Sequence, residues 1–166
     1  MSYNVAVLGA TGAVGHEMLT ILEERNFPIN NIYALASKRS VGKEVSFGDK
    51  VLKVQDVEKF DFSTADIALF SAGSSVSKIW APIAGEKGCI VIDNTSFFRM
   101  DPDVPLIIPE VNPEALENYR NKNIIANPNC STIQMLVPLK PLHDLSIIKR
   151  VVVSCLLYTS PSPRDK

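Results

Sequence analysis

Apolar and polar positions change period repeatedly along this chain. The run 5–8 (Val-Ala-Val-Leu) is uniformly apolar, as a strand covered on both faces must be, and it stops at Gly9. Val14, Met18, Leu19 and Leu22 then recur at helical spacing, which predicts a helix over 12–25 that Asn26-Phe27-Pro28 ends. A second strand is predicted over 32–36. Residues 41–57 mix Gly, Lys and β-branched types and predict short antiparallel strands or an excursion. A third buried strand over 67–70 opens into Ser71-Ala72-Gly73-Ser74-Ser75. The helix predicted to follow, over 76–86, contains Pro82 as a kink or boundary. The run 90–92 predicts a fourth strand, and 106–108 and 124–126 are further apolar runs. A helix over 131–145 follows, and 150–153 reads as another strand beginning. Strands alternating with helices predict an α/β fold: a Rossmann-like, mostly parallel sheet with helices on both faces.

Composition narrows the class. A chain of 166 residues has room for one domain and the start of a second, and 46% hydrophobic with 21% charged residues is ordinary for a globular protein. A net charge of −1 sets up no bulk field that would favour nucleic acid or an anionic membrane. No apolar stretch approaches bilayer length, and the amino terminus has no secretory pattern, so the expected compartment is the cytoplasm. The three cysteines lack metal-ligand spacing, and no metal is expected. Cys89 sits in an apolar run as a small hydrophobe, Cys155 falls in an atypical tail, and only Cys130 stands among turn-forming polar residues.

Gly9, Gly12 and Gly15 fall between the first strand and the first helix, where a dinucleotide site needs them. Gly9 permits the tight turn, Gly12 the approach of backbone N–H groups to a pyrophosphate, and Gly15 the close packing of helix on strand. The candidate contacts are Gly9, Thr11, Gly12, Ala13, Val14 and Gly15, with the helix amino terminus facing the anion. The spacing is G-x-x-G-x-x-G, a weak signal without its strand and helix. The second strand ends in Ser37-Lys38-Arg39-Ser40, with no acid to take ribose hydroxyls. Arg39 can fork onto a 2′-phosphate, and Ser37 or Ser40 can donate to it, so NADP is favoured over NAD; a solvated basic loop is the competing reading.

Cys130 follows Asn127-Pro128-Asn129 and precedes a helical stretch, with Asn129 or Ser131 as the cap. A thiolate at a helix amino terminus is stabilised and becomes a usable nucleophile. A packed or incidental thiol is the alternative. Combined with a nicotinamide site upstream, the thiol points to interconversion of an aldehyde and an acyl derivative through a thiohemiacetal and a thioester.

From Asn4 to about Ser154 the chain resembles the bacterial aspartate-semialdehyde dehydrogenase family. The resemblance is carried by the glycine loop, Ala36-Ser37-Lys38-Arg39-Ser40-Val41-Gly42-Lys43, Ser71-Ala72-Gly73 and Asp93-Asn94-Thr95-Ser96, then by Phe98-Arg99-Met100, Pro109-Glu110-Val111-Asn112 and Asn127-Pro128-Asn129-Cys130-Ser131-Thr132. It implies reversible, NADP- and phosphate-dependent conversion of aspartate semialdehyde to aspartyl phosphate, on the route to lysine, methionine and threonine. It also implies Cys130 as nucleophile, Arg99 and Asn94 at the phosphate and substrate, Ser71, Ala72 and Gly73 at the cofactor, and a homodimer for the full-length protein. Arg99 stands beside Asp101 and Asp103, so a surface ion pair is its competing role, and Asn94 could simply hold a turn. His16 and His143 are assigned no catalytic part.

The implied division is a dinucleotide-binding domain over 1–129, the start of a catalytic and dimerisation domain over 130–154, and a non-family tail over 155–166. The tail, rich in Ser and Pro, reads as disordered, and Leu157 stands where the family has a substrate-orienting glutamine. The family's base histidine and substrate-carboxylate arginine find no counterpart here. The chain is therefore expected to be a truncated amino-terminal part that binds NADP weakly without completing turnover. The rival enzyme is N-acetyl-γ-glutamyl-phosphate reductase, whose cysteine motif differs; a non-catalytic NADP-binding regulatory module is the rival of another class.

Overall fold

A computed structural model of the chain describes residues 1–154. The tail 155–166, with Cys155 and Leu157, lies outside the described residues. Strand β1 (Tyr3–Leu8) leads into helix α1 (Ala13–Glu24) and strand β2 (Ile29–Ala36). A hairpin of β3 (Glu44–Phe47) and β4 (Lys50–Lys53) precedes the short β5 (Gln55–Asp56). Strand β6 (Ile67–Phe70), helix α2 (Ser74–Glu86), β7 (Ile90–Asp93), β8 (Ile124–Ala126) and helix α3 (Cys130–Leu145) follow. The main sheet runs β5-β2-β1-β6-β7-β8, and every pairing in it is parallel.

Alternation along the strands explains why both faces are covered. Ala6 and Leu8 of β1 point to one face, where they join Phe62, Phe70, Ala81, Ala84, Val91 and Ile124 beneath α2. Val7 points to the other face and joins Leu19, Ala34, Ala36 and Val45 beneath α1. Successive strand residues face opposite ways, so a strand buried on both sides must be apolar at consecutive positions. The uniform runs in the sequence have this cause.

Several expectations are corrected. Val14 is 46% exposed; the contact line of α1 is Gly15 and Leu19, with Met18 and Leu22 half-buried. Each helical residue turns about 100° from the last, so a glycine pressed on the sheet carries its predecessor off the contact line. Pro82 does not end α2, which continues to Glu86. The carbonyl four residues back, on exposed Lys78, can turn to water when proline offers it no N–H. The run 106–108 forms only an isolated bridge, Leu106 to Ala126, because Pro105 and Pro109 on either side lack donors for a longer ladder. Residues 150–153 pair with no strand among the described residues, and Val152 is 78% exposed. A strand needs a neighbouring row of donors and acceptors. A 3-10 segment over Pro113–Asn121 was not anticipated.

At Gly15 the fit of α1 on the first turn is tight: a Cβ there would run into the Gly9 carbonyl, with Ala10 Cα 2.8 Å away. Gly15 has ordinary helical geometry, so Gly15→Ala tests packing without backbone strain. The expected cost is about 2 kcal/mol in urea unfolding. An unchanged midpoint would mean that α1 can lift from the turn freely.

Candidate active site

Strand order reverses direction at β1, which has β2 on one side and β6 on the other. The connection leaving β1 enters α1 on one face, and the connection leaving β6 enters α2 on the opposite face. The two loops diverge and leave a crevice at the carboxyl ends of the strands, the usual ligand position in such sheets. A cavity of about 430 Å³ lies there, lined by Gly9, Thr11, Gly12, Ser37, Ser40, Ser71 and Ala72, with Leu8, Ala36, Val57, Glu58, Val76 and Trp80.

Gly9 has φ +95°, the left-handed region, and a side chain there would meet Ser71 Oγ at 2.8 Å and Ala72 N at 2.9 Å. Gly12 caps α1 without a side-chain hydrogen bond to its first turn, which leaves the N–H groups at Ala13 and Val14 for an anion. The N–H of Gly12 itself donates to Gly9 O at 2.9 Å and shapes the turn. Gly15 is buried under Gly9 and does not face the cavity. Ser71 Oγ donates to Leu8 O at 3.3 Å, tying the β6 loop to β1. Gly73, at φ +98°, caps α2 outside the lining.

At the second-strand end, Ser37 and Ser40 line the crevice, while Arg39 is exposed on the 3-10 turn between them and outside the lining. Lys38 and Lys59 line an adjoining hollow with Val41, Gln55 and Asp56. Glu58 was missed by sequence reasoning. It reaches the crevice because Asp56, ending β5, caps the turn by accepting from Glu58 N at 3.1 Å. A two-residue strand leaves no periodic signal to find it by.

The remaining candidates stand further along the same sheet edge. Asn94 follows β7 and Asn127 follows β8, and Asn127 Nδ2 donates to Asn94 Oδ1 at 2.6 Å. Arg99 donates from Nε to Asn127 O at 3.0 Å and from Nη2 to Asn94 O at 3.1 Å. Asp101 and Asp103 are taken by Lys122, at 2.9 and 3.4 Å. The Lys122 hydrogen bond, with the Asp103 N–H, holds the Asp101 carboxyl below the usual carboxylate range. Arg99 makes no ion pair among the described residues. Its guanidinium is fixed by two carbonyls, which neutralise none of its charge.

Cys130 opens α3, directly after the three-residue loop 127–129 that follows β8, and is exposed. Asn129 caps the helix by accepting from Ser131 N at 3.0 Å, and the thiol lies 4.0 Å from Asn129 Oδ1. Sequence reasoning also missed Asp93. It is fully buried and accepts from Ser77 Oγ at 2.8 Å, Thr95 N at 3.0 Å and Thr95 Oγ1 at 2.8 Å. His143 is structural: its Nδ1 accepts from Ile148 N at 3.2 Å. His16 is exposed on α1. No group of three or more His, Cys, Asp or Glu among the described residues is placed to hold a metal. No described helix is long and apolar enough to cross a membrane.

Residues 4–119 match the family described as semialdehyde dehydrogenase, NAD binding domain. The chain is 60% identical over 163 residues to aspartate-semialdehyde dehydrogenase of Shewanella violacea, covering 98% of this chain and 48% of that one. It thus spans about half the length of the curated relatives it matches. The crystal structure of aspartate semialdehyde dehydrogenase II of Vibrio cholerae complexed with ASA superposes with a TM-score of 0.84 at 61% identity, over 87% of this chain and 47% of that one. The Candida albicans aspartate semialdehyde dehydrogenase with NADP aligns at 29% identity and a TM-score of 0.69, over 88% and 48%.

The two described thiols differ in a way that labelling can read. Burial, and secondarily Asp66, pushes the Cys89 thiol up to about 12. Iodoacetamide at about pH 8 should therefore alkylate Cys130 and leave Cys89 unmodified until the chain unfolds. The unfolded thiol ionises near ~8.5 while the folded one keeps its proton, so the Cys89 contribution to stability is complete below that pH. It is lost as pH climbs towards about 12. Peptide mapping that finds Cys89 labelled first would contradict the packing beneath α2.

Proposed function

The chain belongs to the semialdehyde dehydrogenase family through its NAD-binding domain, and on that premise we propose that it is the nucleotide-binding, nucleophile-bearing half of an NADP-dependent aspartate-semialdehyde dehydrogenase. What carries the reading is one alignment. Cys130, Arg99 and Asn94 follow the carboxyl ends of β7 and β8, on the same sheet edge as the glycine crevice after β1. Its reaction is the reductive dephosphorylation of aspartyl phosphate to aspartate semialdehyde, reversible, in the cytoplasm and in a homodimer. The domain boundary falls at 129/130, which the lack of buried residues along α3 supports.

The residues have separable tasks. Ser71 and Gly9 hold the crevice mouth. The open N–H groups at Ala13 and Val14 take pyrophosphate oxygens, while Ser37, Arg39 and Ser40 take a 2′-phosphate. The relative from Candida albicans crystallised with NADP supports that choice of cofactor. Bound NADPH supplies the hydride. Cys130 attacks the acyl carbon and forms a thioester as phosphate leaves, and on reduction the sulfur leaves as the aldehyde carbonyl re-forms. Arg99 binds the departing or incoming phosphate, its charge unspent on any carboxylate among the described residues. Asn94 orients the substrate beside it.

The test is turnover in the protein extended to the full length of its relatives. Aspartate semialdehyde, phosphate and NADP should give steady NADPH, and Cys130→Ser should lower kcat by about a thousandfold or more. Replacing NADP by NAD should cost about tenfold or more in kcat/KM, and Arg39→Ala should erase that preference. Undiminished turnover by Cys130→Ser, or faster turnover of N-acetylglutamyl semialdehyde, would sink the reading.

A further inference from the structure

Arg99 is gripped by two main-chain carbonyls, and the orientation of one of them is set from inside the sheet. The peptide joining Asn94 to Thr95 is trans, as are all those described, so its C=O and N–H point in opposite directions. Its N–H donates to Asp93 Oδ1 at 3.0 Å, and its C=O accepts from Arg99 Nη2 at 3.1 Å. A carboxylate with no exposure thus faces one end of a peptide whose other end holds the guanidinium.

We propose that Asp93 is a positioning residue for Arg99, acting through the Asn94–Thr95 peptide. The inference rests on the reading of Arg99 as the phosphate-binding residue. Asp93 suits the task because its own position is over-determined. Ser77 Oγ on α2 donates to Oδ1 at 2.8 Å and Thr95 Oγ1 to Oδ2 at 2.8 Å, while its carbonyl accepts from Asn127 N at 2.8 Å. A buried carboxylate is tolerated only when its lone pairs are met by donors in this way. An apolar residue at the end of β7 would fill the same space more cheaply. It would, however, leave the Thr95 N–H without an acceptor, and the peptide could rotate its carbonyl away from Arg99.

The experiment uses the 166-residue chain, isotope-labelled so that the Arg99 Nη2–H resonances, which report the bond to Asn94 O, are followed during titration with inorganic phosphate and, separately, NADP. Asp93→Ala should speed Arg99 Nη2–H exchange by about tenfold and weaken phosphate at least about fivefold, with NADP affinity within about twofold. Asp93→Asn, which keeps an acceptor for Thr95 N, should stay near the unsubstituted chain in all three. In an Arg99→Lys background Asp93→Ala should cost no further phosphate affinity, because coupled residues do not add. Unchanged exchange at Arg99 in a folded Asp93→Ala chain, or parallel loss of phosphate and NADP, overturns the proposal. If Asp93→Ala does not fold, Thr95→Val carries the comparison. A rise of about threefold in Arg99 exchange supports the proposal and no rise overturns it. Phosphate that leaves Arg99 unmoved in the unsubstituted chain removes its phosphate role, while exchange still decides whether Asp93 orients it.

Discussion

The reversal of strand order at β1 is the constraint from which the rest of the arrangement follows. Because β2 and β6 flank β1 and all three run parallel, every connecting loop leaves the sheet at the same edge. The loops on either side of the reversal go to opposite faces, so the edge opens there. Closing that opening needs no rearrangement of the core, only a ligand long enough to lie along the strand ends. A dinucleotide has that shape, and under the proposed reading its phosphates would meet a helix start that no capping side chain covers among the described residues.

Local geometry makes the constraint tolerable. Gly9 turns in the left-handed region against Ser71, and Gly15 lets α1 sit directly on the Gly9 carbonyl. At the other end of the edge, polar groups replace apolar packing. Asp93, Ser77 and Thr95 form a buried set in which each hydroxyl and carboxylate oxygen has a partner, and no buried side-chain polar atom among the described residues is left without one. Such a set specifies position at some cost in stability.

The parts that were legible in the sequence are those with a long or repeated signal. β6 matches its apolar run residue for residue, and α1 lies within one residue of its expected start and end, because burial on both faces and helical spacing leave clear marks. The glycine turn was legible because its position between strand and helix has a steric reason. Other features depended on contacts distant in sequence. Val14 lies off the buried line because Gly15 is on it, the run 106–108 was cut short by its flanking prolines, and β5 is too short for any period. Asp93 looked like the polar end of a strand. Only Ser77, sixteen residues earlier on α2, shows that its side chain turns inward. Glu58 entered the crevice through a side-chain cap, which pattern alone does not reveal.

The thiol and the glycine turn are separated by more than a hundred residues of sequence and joined by one sheet edge. The direct measurement is amide chemical-shift mapping of the labelled chain on titration with NADP. A cofactor lying along the edge should move the resonances of Thr11, Gly12 and Ser40 at one end and of Asn127, Asn129 and Cys130 at the other, with a single dissociation constant. Shifts that end at the glycine turn, with Cys130 and its helix start unmoved at saturation, would contradict the arrangement and leave a nucleotide site with no chemistry beside it.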